Sequence, residues 1–158
     1  MLGANSGELE IKGSGATTVV SLSAEGQRKL SALIGGPSGA EWHGGVYLGL
    51  ENVRGTFDAA VLNTYINLPE GARAADHLSL MAESVALYGL RRATILPGEN
   101  AGHGLTFILE ITGILTDLLA SKSLDPKQIR VTIMPDRPLP DSVTITIRKV
   151  SIFATSPP

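Results

Sequence analysis

Apolar and polar residues alternate with a period of two along several stretches of the chain, which is the pattern of half-buried β-strands. It predicts strands in VYLGLENV (46–53), VLNTYINL (61–68), LTFILEI (105–111), IRVTIMP (129–135) and DSVTITIRKVSIF (141–153). Pro69 ends the second of these, because proline cannot continue a β-ladder. In the last segment the alternation changes phase between Ile147 and Val150. That change predicts a β-bulge near Arg148–Lys149.

Two other segments carry helical spacing instead. Ser23 is a suitable N-cap for AEGQRKLSALI (24–34), which places Leu30 and Leu33 on one face. ITGILTDLLASK (111–122) has its apolar residues at helical intervals, and Asp125–Pro126 then interrupts the chain. We therefore predict two short helices between the strands.

Seven or eight strands joined by glycine- and proline-rich turns are typical of one fold class. The chain is predicted to be mainly β, an antiparallel β-sandwich or jelly-roll barrel with one or two short helices. We expect residues 1–15 to be a flexible N-terminal segment or linker, residues 16–154 to form a single β-sandwich domain, and residues 155–158 to be a tail. No internal repeat and no second domain is visible.

The composition narrows the possible functions. The chain has 158 residues, 43% of them hydrophobic, which suits one domain with a sizeable core. The chain has thirteen basic and fifteen acidic residues, a net charge of −2, and no run of basic residues. We therefore expect neither nucleic acid nor a membrane surface as a partner. The absence of cysteine excludes disulfides, blue-copper sites and cysteine nucleophiles. No signal peptide or membrane-spanning segment is evident, so we expect a soluble chain, whose compartment the sequence leaves open.

Catalytic and metal-binding motifs are weak. The histidines His43, His77 and His103 are far apart, and no carboxylate stands at metal-ligand spacing from them. His43 and His103 lie in glycine-rich loops and are candidates for a weak adventitious metal site only. No G-x-S-x-G motif occurs, and the GSG at 13–15 has the form of a turn between strands. We therefore predict no catalytic residue, no bound cofactor and no dedicated metal site in this chain.

A few polar and aromatic residues allow other roles. Asn63 and Asn67 share one strand face, and hydrogen bonds within the sheet are favoured over a site for them. The carboxylates Glu51, Asp58 and Glu110 are candidates for a pair, although a solvated position is favoured for Glu110. The aromatic residues Trp42 and Phe57 stand next to turns. Trp42 is either folded back as a lid over its own domain or used as an interface anchor, and we name Trp42 and Phe57 as candidates for contacts with a partner.

The order of several motifs resembles the C-terminal β-domain of tyrosinases and polyphenol oxidases. The matching segments, from about Val46 to Phe153, are VYLGLENVRG, YINLPEG, VALYGLRRAT, HGLTFILEITGILTDL and IRVTIMPDRPLPDSVTITIRKVSIF. The plant enzymes carry a K-F-D-V-Y-I-N type signature in the related stretch, and the NLPEG and RPLP segments are closer to bacterial relatives. Asn63–Thr64 stands where the signature has Asp-Val, unless FDAA (57–60) is the F-D start of the signature, displaced upstream by a short insertion. Both registers stay open, so the strand is expected to be kept while the role of the family aspartate is left open.

This resemblance implies a non-catalytic role. A tyrosinase dicopper centre uses two sets of three histidines on a helical bundle, whereas this chain has three histidines in all. The resemblance implies a companion domain that covers the active-site entrance and keeps the enzyme latent, or supports folding and copper loading. Its partner would be the catalytic domain of the same polypeptide, which would hold the copper. The alternative is a stand-alone β-sandwich module for binding or self-association, with segment 143–153 as an exposed edge strand.

Overall fold

The structure is a computed structural model that describes residues 1–34, 45–55, 57, 60–94 and 104–155. Within these residues the strands are β1 (Gly3–Ala4), β2 (Leu9–Ile11), β3 (Ala16–Leu22), β4 (Val46–Arg54), β5 (Val61–Ile66), β6 (Met81–Ala86), β7 (Leu105–Glu110), β8 (Gln128–Pro135) and β9 (Ile145–Ala154). The helices are α1 (Ala24–Ile34), α2 (Leu90–Thr94) and α3 (Thr112–Ala120), and two single 3₁₀ turns span Ala74–Asp76 and Leu78–Leu80.

The strands described form one antiparallel sheet. Its order is β6-β5-β8-β3-β1-β9-β4-β7, with β2 also paired to β9. The terminal strands β6 and β7 contact each other, so the sheet curls into a nearly closed barrel. The predicted mainly β, antiparallel fold class is confirmed, with barrel-like closure as its form.

Alternating residues of the strands fill the interior with aliphatic side chains. Leu48, Leu62, Val131 and Ile147 are completely buried members of a single hydrophobic cluster. Burial of such residues is the main source of stability in a fold of this size. The completely buried aliphatic side chains of the described strands all belong to this cluster.

Both predicted helices are present and lie at the same end of the barrel. Ser23 caps α1, because its Oγ accepts a hydrogen bond from the Gly26 N–H at 3.0 Å. Helices α1 and α3 contact each other, and Leu30 and Leu115 bury their side chains completely. The short helix α2 (Leu90–Thr94) was not expected from the sequence. None of the helices described is long and apolar enough to cross a membrane.

The change of phase near Arg148–Lys149 is visible in the burial of β9, because Ile147 and Val150 are both completely buried. The β-bulge predicted there is absent from the pairing of β9 with β4, whose register does not shift from Val46–Ala154 to Arg54–Thr146. Lys149 pairs with Glu51 and Ile147 pairs with Val53, but no pairing occurs between them. In β4, Asn52 takes a positive φ of 56° at this level. The pairing of β4 with β7 shifts between Leu50 and Val53. Both strands therefore turn Leu50, Val53, Ile147 and Val150 toward the core.

Two expectations differ from the structure. Residues 1–15, expected as a flexible segment or linker, contribute β1 and β2 to the sheet, joined to β3 through a turn in which the Gly15 N–H binds the Lys12 carbonyl at 3.1 Å. Their strands are too short to show an alternation in the sequence. The expected exposed edge at 143–153 is wrong, because β9 lies between β1 and β2 on one side and β4 on the other. Edge position depends on strand order, which local alternation does not encode.

Candidate functional site

The asparagines of β5 have structural partners. The Oδ1 of Asn63 accepts a hydrogen bond from the Ser84 hydroxyl on the neighbouring strand β6. Asn67 follows the strand in the left-handed region, with φ 59°, and its Nδ2 donates to the Ser123 carbonyl at 2.8 Å. Asparagine adopts this conformation more readily than most residues. The polar face of this strand is therefore part of the sheet and its end, as the sequence favoured.

The described residues contain no group of three or more His, Asp or Glu side chains placed to hold a metal ion. His77 lies half-buried between the two 3₁₀ turns, and its backbone N–H binds the Ala74 carbonyl. The adventitious candidates His43 and His103 lie outside the described residues, as do Trp42 and Asp58. The predictions for these four residues stay predictions.

The other carboxylates have separate surroundings. Glu51 is half-buried, and its Oε2 accepts a hydrogen bond from the Ser151 hydroxyl at 3.1 Å. Glu110 is exposed, as favoured from the sequence, and stands opposite Tyr47 in the pairing of β7 with β4. In the described residues, Glu51 and Glu110 therefore do not form a carboxylate pair of the kind that general acid–base catalysis uses.

Phe57, predicted to contact a partner, is half-buried and packs against the hydrophobic core. It lines a cavity of about 420 Å³ together with Ala60, Arg137, Pro138 and others. The ring therefore has neighbours within its own chain, although one side faces this open cavity. Its predicted contact with a partner stays a prediction.

A shallow trough crosses the outer face of β3 and β8. It consists of two adjoining cavities of about 410 and 350 Å³, which share Val19, Leu68, Pro69 and Arg130. The Arg130 guanidinium donates to the Leu68 carbonyl at 3.4 Å. Carboxylates from Glu70 and Asp125 line the two cavities beside this single cation. No nucleophile paired with a base is among the residues that line the trough.

The most exposed aromatic side chain among the described residues is one that the sequence analysis did not single out. Tyr88 is 90% exposed, whereas its neighbours Leu87 and Leu90 are completely buried. Residues 87–90 form a tight turn, in which the Leu90 N–H donates a hydrogen bond to the Leu87 carbonyl at 3.0 Å. Gly89, the third residue of the turn, has a positive φ of 84°. A positive φ at the third position is the requirement of a type II turn, which glycine meets. The turn thus holds a phenol ring in solvent at the end of the barrel opposite α1 and α3.

The turn is fixed to the barrel on both sides. The Leu87 N–H donates to the Ala60 carbonyl at 3.1 Å, and helix α2 begins at Leu90. Large aromatic side chains that are exposed on a rigid support are typical anchors of protein–protein contacts. The sequence signal for this exposed tyrosine was the pattern Leu-Tyr-Gly-Leu (87–90). Its glycine indicates a turn, and its two leucines indicate that the ends of the turn are anchored in the core.

Comparison with protein families gives a match over almost the whole chain. Residues 1–155 match the family model described as a domain of unknown function, DUF7868. The chain belongs to this family. A search of the curated proteins finds no match.

Solved structures show the same fold in larger proteins. The chain is similar to latent apple tyrosinase, with 16% sequence identity and a TM-score of 0.52 over 94% of this chain and 27% of that one. It is also similar to a recombinantly expressed latent aurone synthase, a polyphenol oxidase, with 12% identity and a TM-score of 0.55 over 95% of this chain and 26% of that one. The DUF7868 chain thus spans about a quarter of the length of either protein. At these identities the likeness establishes the shared fold.

Proposed function

We propose that this DUF7868 chain is a non-catalytic companion domain of a tyrosinase-type copper oxidase. The proposal rests on the fold comparison. Nearly all of this chain superposes on a part of two latent enzymes of this class, and that part makes up about a quarter of each enzyme. The ordered motifs from Val46 to Phe153 point to the same family independently of the fold comparison. In this proposal the copper, the phenol substrate and the oxidation belong to a separate catalytic domain of the same polypeptide.

The chemistry of the chain supports a covering or supporting role. A dicopper centre of this class needs two sets of three histidines, and the chain has three histidines in total. A cover needs a surface that is complementary to the catalytic domain and a side chain that can occupy the entrance of its active site. It needs no nucleophile or general base of its own.

Tyr88 is the side chain that we propose for this contact. Its turn holds the ring 90% exposed at a fixed position, so little conformational entropy would be lost when a partner encloses it. The earlier candidate Phe57 packs against the core of its own domain. Truncation of a central aromatic anchor costs an interface 2 kcal/mol or more in many complexes, which is roughly a 30-fold loss of affinity.

The first test concerns parentage. The coding sequence upstream of Met1 is expected to encode a helical region with two histidine triplets. A different kind of upstream region would overturn the proposal before any protein is made.

The second test measures latency. The joined protein, with both domains, is expected to oxidise a diphenol slowly until limited proteolysis removes or displaces the companion domain. Tyr88→Ala should raise the activity of the uncleaved protein about tenfold or more, because the cover is then held less tightly. Leu78→Ala is the matched control, since Leu78 is also exposed, at 63%, but lies in a 3₁₀ turn at the other end of the barrel. Equal activity before and after proteolysis would contradict the covering role.

The second candidate function is self-association through the sheet edges. Among the described strands, β6 and β7 are the two ends of the sheet, and the outward-facing Ile108 of β7 is 60% exposed. An exposed edge strand that carries an aliphatic residue is a template for pairing with another chain. The contact between β6 and β7 opposes this, because each edge lies close to a strand of its own chain.

A further inference from the structure

The first five residues of the chain, Met1–Asn5, form what we call the N-terminal strap. Its strand β1 comprises only Gly3 and Ala4, yet it lies in the middle of the sheet. Gly3 stands opposite Leu22 of β3 on one side and Ile152 of β9 on the other. The strap therefore fills a slot between two much longer strands.

Hydrogen bonds to β9 hold both ends of the strap. The Leu2 N–H donates to the Ile152 carbonyl at 2.8 Å, and the Asn5 N–H donates to the Val150 carbonyl at 2.9 Å. The Oδ1 of Asn5 accepts the Val150 N–H at 3.0 Å, so this side chain replaces a backbone partner of the ladder. The Asn5 Nδ2 also reaches the Thr18 hydroxyl of β3 at 3.3 Å. One asparagine thus binds both walls of the slot.

The shape of the slot selects what it accepts. The side chain of Leu2 is only 3% exposed and belongs to the hydrophobic core. A Cβ added to Gly3 would lie 2.2 Å from the Ser21 carbonyl oxygen, so no larger residue fits at this point. On the helix side, a Cβ on Gly26 would lie 2.2 Å from the Leu2 carbonyl oxygen. The slot therefore fits an extended segment with leucine, glycine and asparagine at its second, third and fifth positions.

The strap is joined to the rest of the barrel by an exposed connection. Ser6, Gly7 and Glu8 are all exposed, and nothing lies within 4 Å of a Cβ added to Gly7. One buried leucine and a few hydrogen bonds hold the strap, whereas the rest of the core is formed by many other buried side chains. Segments with few buried contacts open at lower free energy than the whole domain unfolds. An open strap would expose strand edges on both β3 and β9.

We propose that the slot between β3 and β9 is a peptide-binding site, and that the N-terminal strap is its exchangeable resident ligand. The site takes extended peptides by strand addition, in which backbone hydrogen bonds give affinity and the glycine and leucine positions give specificity. This inference goes beyond the companion-domain proposal and does not depend on it.

The experiment uses the folded full chain. A protease recognition sequence is inserted between Gly7 and Glu8, and the chain is cleaved after folding, so that the strap stays bound without a covalent link. A fluorescent synthetic peptide of residues 1–7 is added in excess, and its incorporation is followed by fluorescence anisotropy and native mass spectrometry. Circular dichroism measures the folded state in parallel.

The labelled peptide is expected to replace the strap saturably while the barrel stays folded. A Gly3→Val peptide should bind roughly 10- to 100-fold more weakly, because its side chain meets the β3 backbone. A Met1→Ala peptide is the matched control and should bind like the native one, since Met1 is 70% exposed. The proposal is overturned if exchange occurs only at temperatures that unfold the whole barrel. Equal incorporation of the native and Gly3→Val peptides also overturns it.

Discussion

At the scale of single residues, the Thr64 hydroxyl is a buried polar group to which the described residues give no hydrogen bond. Thr64 faces the interior of the barrel with Leu62 and Ile66, and all three side chains are completely buried. A buried hydroxyl without a partner loses its hydration and gains nothing in return. The position therefore works against stability.

Replacement of this hydroxyl by a methyl group should stabilise the domain. Thr64→Val keeps the shape of the side chain, and we expect the free energy of unfolding to rise by about 1 kcal/mol. Thr132→Val is the control, because the Thr132 hydroxyl lies 3.0 Å from that of Thr17 and its loss removes a hydrogen bond. Urea denaturation of the three proteins measures the difference. A fall in stability for Thr64→Val would show that the hydroxyl has a partner in solution.

For Asn67, the sequence indicated a structural role but not the contacts that define it. The sequence placed it on a polar strand face next to Pro69, and that was sufficient to favour a structural role. Its positive φ and its bond to Ser123 depend on the strand ending beside the segment that follows α3. Tyr88 is the opposite case, because its exposure follows from turn geometry that the alternation pattern does not include.

At the scale of elements, local signals located the helices and the longest strands. Ser23 and the spacing of Leu30 and Leu33 gave α1 its start and its buried face. Strand β6 was missed because only Val85 of its six residues is buried, so no alternation is visible. Helix α2 was missed because its five residues are too few to show a helical period.

The cap of α1 gives a prediction at this scale. Ser23→Ala removes the acceptor of the Gly26 N–H, and we expect a loss of about 1 kcal/mol in the free energy of unfolding. Ser31→Ala is the matched control, since Ser31 is exposed within the same helix, where alanine is the better helix former. Thermal unfolding should show a lower Tm for Ser23→Ala alone. Equal Tm values for the two variants would mean that the cap contributes nothing.

At the scale of the whole molecule, closure of the sheet decides which edges are free. Strand β9, which the sequence suggested as an edge, has partners on both sides. The remaining edges, β6 and β7, contact each other. Proximity of these two strands within one barrel restricts the access of another chain to their edges.

We therefore expect the chain to be monomeric at low micromolar concentration. Sedimentation velocity on the purified chain is the measurement. A defined dimer that Ile108→Lys dissociates would instead support self-association through β7. Glu83→Lys provides the matched control on the other edge, because Glu83 is exposed on β6.

The sequence by itself determined the fold class, the position of the longer strands and of two helices, and the phase change of β9. These features depend on local periodicity and capping, which the chain carries at each position. Tertiary structure alone decided the strand order and the place of the N-terminal strap between β3 and β9. Each of these follows from contacts between segments far apart in the chain, such as Gly3 with Ile152, and local pattern does not specify such partners.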